Sequence, residues 1–214
     1  DILNKCKNNE PIEGIIKPSN RIVECIWNDD VDEFRRIQLK CNFDCDSSFG
    51  DYSEANFWPF QCKFSMRMIN LAAFFGSTKI FKLLLLNHAY TTNELIDFAI
   101  AGGNSEIIHT CLQYNHELTL NSFQMAIRYY HNDILAWIIE NNQDLFRIHK
   151  EEIFNYSIKH SNPDAFLMLL DNGCDFTFIN INLFKTFVKE WMKVVFVEES
   201  FFNKIKNRIK ESFK

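Results

Sequence analysis

The residue types in this chain that can do chemistry are placed where that chemistry fails. His109, Cys111 and His116 lie close together, as an imidazole-activated thiol requires. Cys111, however, belongs to the run Ile107, Ile108, Cys111, Leu112, whose spacing builds a buried helical stripe, so it reads as a small core residue. Cys41, Cys45 and Cys62 supply three thiols, but the short paired knuckles and close histidines of a structural zinc site are missing, and no metal is expected. Gly102-Gly103 precedes Asn104-Ser105-Glu106 without the Lys-Ser/Thr pair of a phosphate loop and reads as a turn. The acidic run Glu24, Asp29, Asp30, Asp32, Glu33 falls across a helix corner, where a solvated face and an N-cap account for it. The expectation is a protein with no catalytic residues, no cofactor and no enzyme activity.

Composition narrows the class. Hydrophobic residues make up 47% of the 214 positions, enough for a continuous core, and 6 Gly and 4 Pro leave long helical spacing uninterrupted. An all-α fold follows. A net charge of −5 provides no global field for phosphate backbones, so no nucleic acid is expected, although a local basic patch is compatible with it. Seven cysteines without a regular framework fit a reducing compartment, and the protein is read as cytoplasmic. The apolar runs at Ile80 to Leu86 and Val194 to Val197 are too short to span a bilayer. The opening Asp1 reads as a processed N-terminus or the start of a fragment.

These elements repeat. LAAFFGSTKIFKLLLL at Leu71–Leu86, FAIAGGNSEIIHTCL at Phe98–Leu112, MAIRYYHNDILAWII at Met125–Ile139 and YSIKHSNPDAFLMLL at Tyr156–Leu170 align on Ala72, Ala99, Ala126 and Ser157, with offsets of 27, 27 and 31 residues. Each copy has a short helix with a small residue at its centre, a polar corner and a second helix dense in Leu, Ile and Phe. The corners read as Gly76-Ser77, Gly103-Asn104, His131-Asn132 and Ser161-Asn162, which supply turn and cap chemistry. One such unit cannot bury its second-helix stripe, so neighbours must stack.

The pattern resembles the ankyrin repeat, closely at Leu71–Ala89, also at Ala99–Leu112 and Ile153–Asp175, and in a weaker earlier copy at Cys25–Asp44. At the family's signature histidine the copies carry Asn70, Asp97, Gln124 and Asn155, each able to bond the backbone of that turn. Periods of 27 residues and the missing Thr-Pro opening are similar to a divergent short-repeat group abundant in protists, often known only as a domain of unknown function. The resemblance implies an ankyrin-like solenoid of stacked helix-turn-helix repeats over 21–175, after an N-terminal segment 1–20 and interrupted by an insertion at 44–66. It also implies a non-enzymatic scaffold that binds another protein, identity unknown. In that stack Phe75, Tyr129 and His160 share one position next to the corner, and with Met68 and Tyr156 they are the candidate partner-binding residues.

In the insertion, Phe57, Trp58 and Phe60 around Pro59 read as a flap folded back on the array or an aromatic plug for a partner. Over 176–214, Phe184, Phe187, Val188, Trp191 and Val195 make an amphipathic helix expected to form a C-terminal helical cap. The tail 200–214 sets Phe201, Phe202, Ile205, Ile209 and Phe213 against Lys204, Lys206, Arg208, Lys210 and Lys214. This basic helix reads as the second half of the cap, or as an alternative means of attachment to a large assembly, cytoskeleton or membrane surface.

Overall fold

The computed structural model describes residues 21–41, 43–46, 48–49, 66–176, 179 and 181–194. These form eleven helices and one two-residue strand pair, and the chain divides into two compact units, Asp1–Glu117 and Leu118–Lys214. The division falls inside the span that the sequence presents as one array.

In the first unit α1 (Arg21–Trp27) pairs with α2 (Val31–Cys41), α3 (Met68–Phe75) with α4 (Thr78–Leu86), and α5 (Leu95–Gly102) with α6 (Ser105–Gln113). First helices pack on first helices, α1 on α3 and α3 on α5, while α2 lies on α4 and α4 on α6. The weak copy is thus a true helix pair. In the second unit α7 (Leu120–Arg128) pairs with α8 (Asn132–Asn141) and α9 (Gln143–Lys159) with α10 (Pro163–Asp171), with α7 on α9 and α8 on α10. Helices of eight to ten residues are marginal alone, so their stability comes from these packed faces. Ala72, Ala99, Ala126 and Ser157 are fully buried, and the stripes Ile80, Leu83, Leu84 and Ile107, Ile108, Cys111 face the interior as their spacing requires.

Every first helix ends in a left-handed corner. Four residues after the small residue, the chain enters the left-handed region at Gly76 (φ 70°), Gly103 (73°), Tyr130 (61°) and Ser161 (52°), and Asp29 does the same at 51°. At Gly76-Ser77 the two N–H groups donate to Ala73 O at 3.2 Å and Ala72 O at 2.9 Å. The same crossed pair recurs at Asp29-Asp30, Tyr130-His131 and Ser161-Asn162. The third corner is therefore Tyr130-His131 and not His131-Asn132. The polar pair attracts a sequence reading, whereas the constant four-residue spacing from the small residue sets the turn.

The offset of 31 residues also has a cause. His149 has non-helical φ/ψ inside α9 (φ −106°, ψ 15°), so an extra turn of helix precedes the repeat helix proper, and its Phe146 is buried against Phe123 with ring centroids 6.2 Å apart.

The ends of the insertion meet in the antiparallel pair β1 (Ser48–Phe49) and β2 (Met66–Arg67). Asp46 anchors this neck by accepting from the Tyr90 N–H, while the Arg67 guanidinium lies 4.7 Å from the Tyr90 ring centroid. Phe57, Trp58 and Phe60 lie outside the described residues. In the second unit α11 (Ile181–Val194) packs on α9, with Phe187 buried and its ring 5.4 Å from Phe166. Phe166 in turn stacks on Phe154 at 5.0 Å, so α11 covers an aromatic cluster. Val195 and the basic tail 200–214 lie outside the described residues.

Candidate protein-binding surface

The five candidate residues occupy different environments. Met68 is 2% exposed and belongs to the core of the first unit. It lies four residues before Ala72, on the same helical face as the small residue that faces the neighbouring helix, so the groove assignment fails for it. Phe75 is partly buried, its ring edge against Trp27 of α1 at 4.7 Å. The same position in the next pair is Gly102, where a Cβ would lie 2.5 Å from Phe74 O and inside contact distance of Ala73 O. In this unit the position beside the corner is consumed by packing between helix pairs.

The second unit keeps its candidates at the surface. Tyr129, Tyr156 and His160 are all partly buried, and the Tyr156 and His160 rings lie 4.2 Å apart, one turn apart on α9. The Arg128 guanidinium donates to the Tyr156 hydroxyl and lies 6.0 Å from the Tyr129 ring centroid, while Lys159 Nζ lies 5.8 Å from the Tyr156 ring. Burial, reinforced by the Arg128 and Lys159 charges, pushes the His160 pKa down to about 4, so its ring is neutral at pH 7. Arg128 and Lys159, two residues before each left-handed position, were missed because the sequence comparison tracked apolar residues.

The corners supply the rigid frame. The second corner residue reaches back to the preceding pair: Ser77 Oγ donates to Ile26 O, and Asn104 Nδ2 donates to Gly76 O and to Thr78 Oγ1, each at 3.2 Å. Asn162 Nδ2 donates to Ile127 O at 2.8 Å and to Asn132 Oδ1 at 2.9 Å. The opposite ends of Asn104 and Asn162 accept from Ile107 N and Ala165 N, capping their own helices. At two of the left-handed positions that are not glycine, the side chain reaches forward. Asp29 accepts from Lys79 N and Ile80 N at 3.1 and 2.9 Å, and the Tyr130 hydroxyl donates to His160 O at 3.0 Å.

The signature positions behave less uniformly. Asn155 donates to Glu151 O, one turn back in its own helix, and Asn70 Oδ1 is buried without a hydrogen-bond partner among the described residues. Asn70 Oδ1 does not make the expected bond to the turn.

Of the residues singled out for chemistry, Cys111 and His116 are buried and Cys41 is a free, exposed thiol. Burial pushes the Cys111 and Cys174 thiols up to about 12, so both stay protonated at neutral pH. Cys45 accepts from Gln38 Nε2 at 3.0 Å, and Cys62 lies outside the described residues. An open depression of about 730 Å³ between the first corner and α4 is lined by Asp29, Asp30, Arg35, Lys79 and Lys82 among others. Three of its charged groups are tied up in the frame: Asp30 accepts from Glu33 N, Asp29 caps α4 and Lys82 pairs with Glu106. No described helix is long and apolar enough to cross a membrane.

What these features define as a class is a protein of paired short helices joined by one repeated corner. A family model described as a domain of unknown function, DUF3447, matches residues 86–169, less than half of the chain but including the corners at 103, 130 and 161. No curated protein matches the chain.

Proposed function

We propose that this chain is a non-enzymatic, cytoplasmic scaffold made of divergent ankyrin-like repeats stacked as a solenoid, and that it binds another protein through the surface beside its corners. The observation that carries the reading is the recurrence of one left-handed corner, with the same crossed hydrogen bonds at four of the five, tied to the neighbouring pair within each unit by Ser77, Asn104 and Asn162. Such a frame holds side chains at fixed spacing with little entropy left to lose on binding. Tyr129, Tyr156 and His160 are the residues it offers, since Met68 is buried and Phe75 is spent on Trp27.

The test is capture of partners by the immobilised full chain from extracts of cells that express it. It is run beside a Tyr129→Ser/Tyr156→Ser variant whose helicity is checked by circular dichroism. A partner retained by the parent chain and lost by the folded variant supports the reading. A folded variant that retains every partner places binding elsewhere, and absence of any partner overturns the scaffold.

A further inference from the structure

The open depression of the first unit runs along the seam between α2 and α4, and its charges do not all meet within the chain. Three aspartates (Asp29, Asp30, Asp32) and three cations (Arg35, Lys79, Lys82) line it, so it carries no net sign. Asp29 and Asp30 spend carboxylate oxygens on backbone N–H groups at the corner end. Lys82 is drawn across the next seam to Glu106 of α6, and no ion pair joins α2 to α4 among the described residues. Asp32, Arg35 and Lys79 are exposed, and their side chains hold no hydrogen bond or ion pair among the described residues. Asp32 and Arg35 are three residues apart on α2 and share the face that lines the depression. One turn on, that face continues to Leu39, which is 84% exposed, and Leu86 at the end of α4 is 77% exposed.

We propose that this face of the first unit is the interface of a homodimer, its occupant the same face of a second copy of this chain. In a two-fold contact residue i meets j and j meets i, so a face that pairs with itself must carry both signs. Two α2 helices crossing antiparallel about an axis between Asp32 and Arg35 set each Asp32 against the other copy's Arg35 and close two ion pairs. The same rotation carries Leu39 of each copy to the corner end of the other's depression, beside Asn28 and Val31, and takes an almost wholly exposed leucine out of water. It also keeps the two corner ends, each with Asp29 and Asp30, apart, where a parallel crossing brings them together at a like-charge cost. Charge complementarity selects the occupant: a partner of uniform sign meets either Asp32 or Arg35 with its own charge, whereas a second copy matches both. The interface uses none of Tyr129, Tyr156 and His160, and it stands or falls independently of the partner reading above.

The experiment is sedimentation velocity on the full chain, with no other protein present, across about 1 µM to about 100 µM. The parent chain moves from the mass of one copy toward that of two. Arg35→Asp sets two acids against two acids and Asp32→Arg two cations against two cations, so each variant alone associates about tenfold more weakly or less, with unchanged circular dichroism. Mixed in equal amounts, the two variants restore the ion pairs and associate one to one, which a loss of folding or a distant effect does not reproduce. Should Asp32→Arg fail to fold, Leu39→Glu at its exposed position gives the same loss by itself. A parent chain of single mass throughout, association untouched by Arg35→Asp or Leu39→Glu, or folded variants that stay apart when mixed overturns the proposal. So does a parent chain that stays single while Arg35→Asp loses a captured protein, since the face then belongs to that partner.

Discussion

At the residue scale, Gly102 shows how a single hydrogen atom sets the distance between two helices. Helix propensity favours alanine there by about 1 kcal/mol, but its Cβ would meet the backbone carbonyls of Ala73 and Phe74, which cannot rotate away. Overpacking of that kind costs about 3 kcal/mol, so Gly102→Ala is expected to destabilise the chain by about 2 kcal/mol in urea titration. An unchanged midpoint would mean that α5 does not press on α3. His160 carries the second residue-scale prediction. Its folded pKa of about 4 lies below the ordinary 6.5, so the unfolded chain takes up a proton first as pH falls. Its contribution is complete above pH 6.5 and is lost as pH falls from there toward 4. Thermal midpoints measured across that window should drop for the parent and drop less for His160→Asn. A residual slope is expected, because burial also lowers the His116 pKa.

At the scale of the element, the corners decide where helices stop, and their side chains decide what each helix pair leans on. Asn162 is fully buried and serves Ile127 O, Asn132 Oδ1 and Ala165 N at once. Asn104 makes the equivalent bonds in a partly buried site. Removing one partner of a buried hydrogen bond leaves the other unsatisfied, so Asn162→Ala should cost about 3 kcal/mol and Asn104→Ala about 1 kcal/mol. Equal losses would show that the cap matters and the link to the preceding pair does not.

At the scale of the whole molecule, the chain is two compact units whose boundary lies at Glu117 and Leu118. Leu84 is fully buried in the stripe of α4, and Leu84→Ala should cost about 2–5 kcal/mol. In the proposed stack each helix pair depends on its nearest neighbours. Amide exchange in this variant should therefore accelerate over 66–117 far more than over 118–171. Uniform acceleration would mean that the two units unfold as one.

Much of this was legible in the residues. The i, i+3, i+4 recurrence of Ile80, Leu83 and Leu84 and the alignment of Ala72, Ala99, Ala126 and Ser157 by themselves determine the all-α class, the helix pairs and the faces they bury, because helical periodicity is a local property. The tertiary structure alone decided that Met68 is core, that Phe75 is spent on Trp27, that the third turn sits on Tyr130 and that Arg128 meets Tyr156. Those outcomes depend on which neighbour a side chain meets across a packed face. The left-handed Tyr130 gives the clearest case: its hydroxyl bonds to His160 O, a partner thirty positions away that no local pattern names.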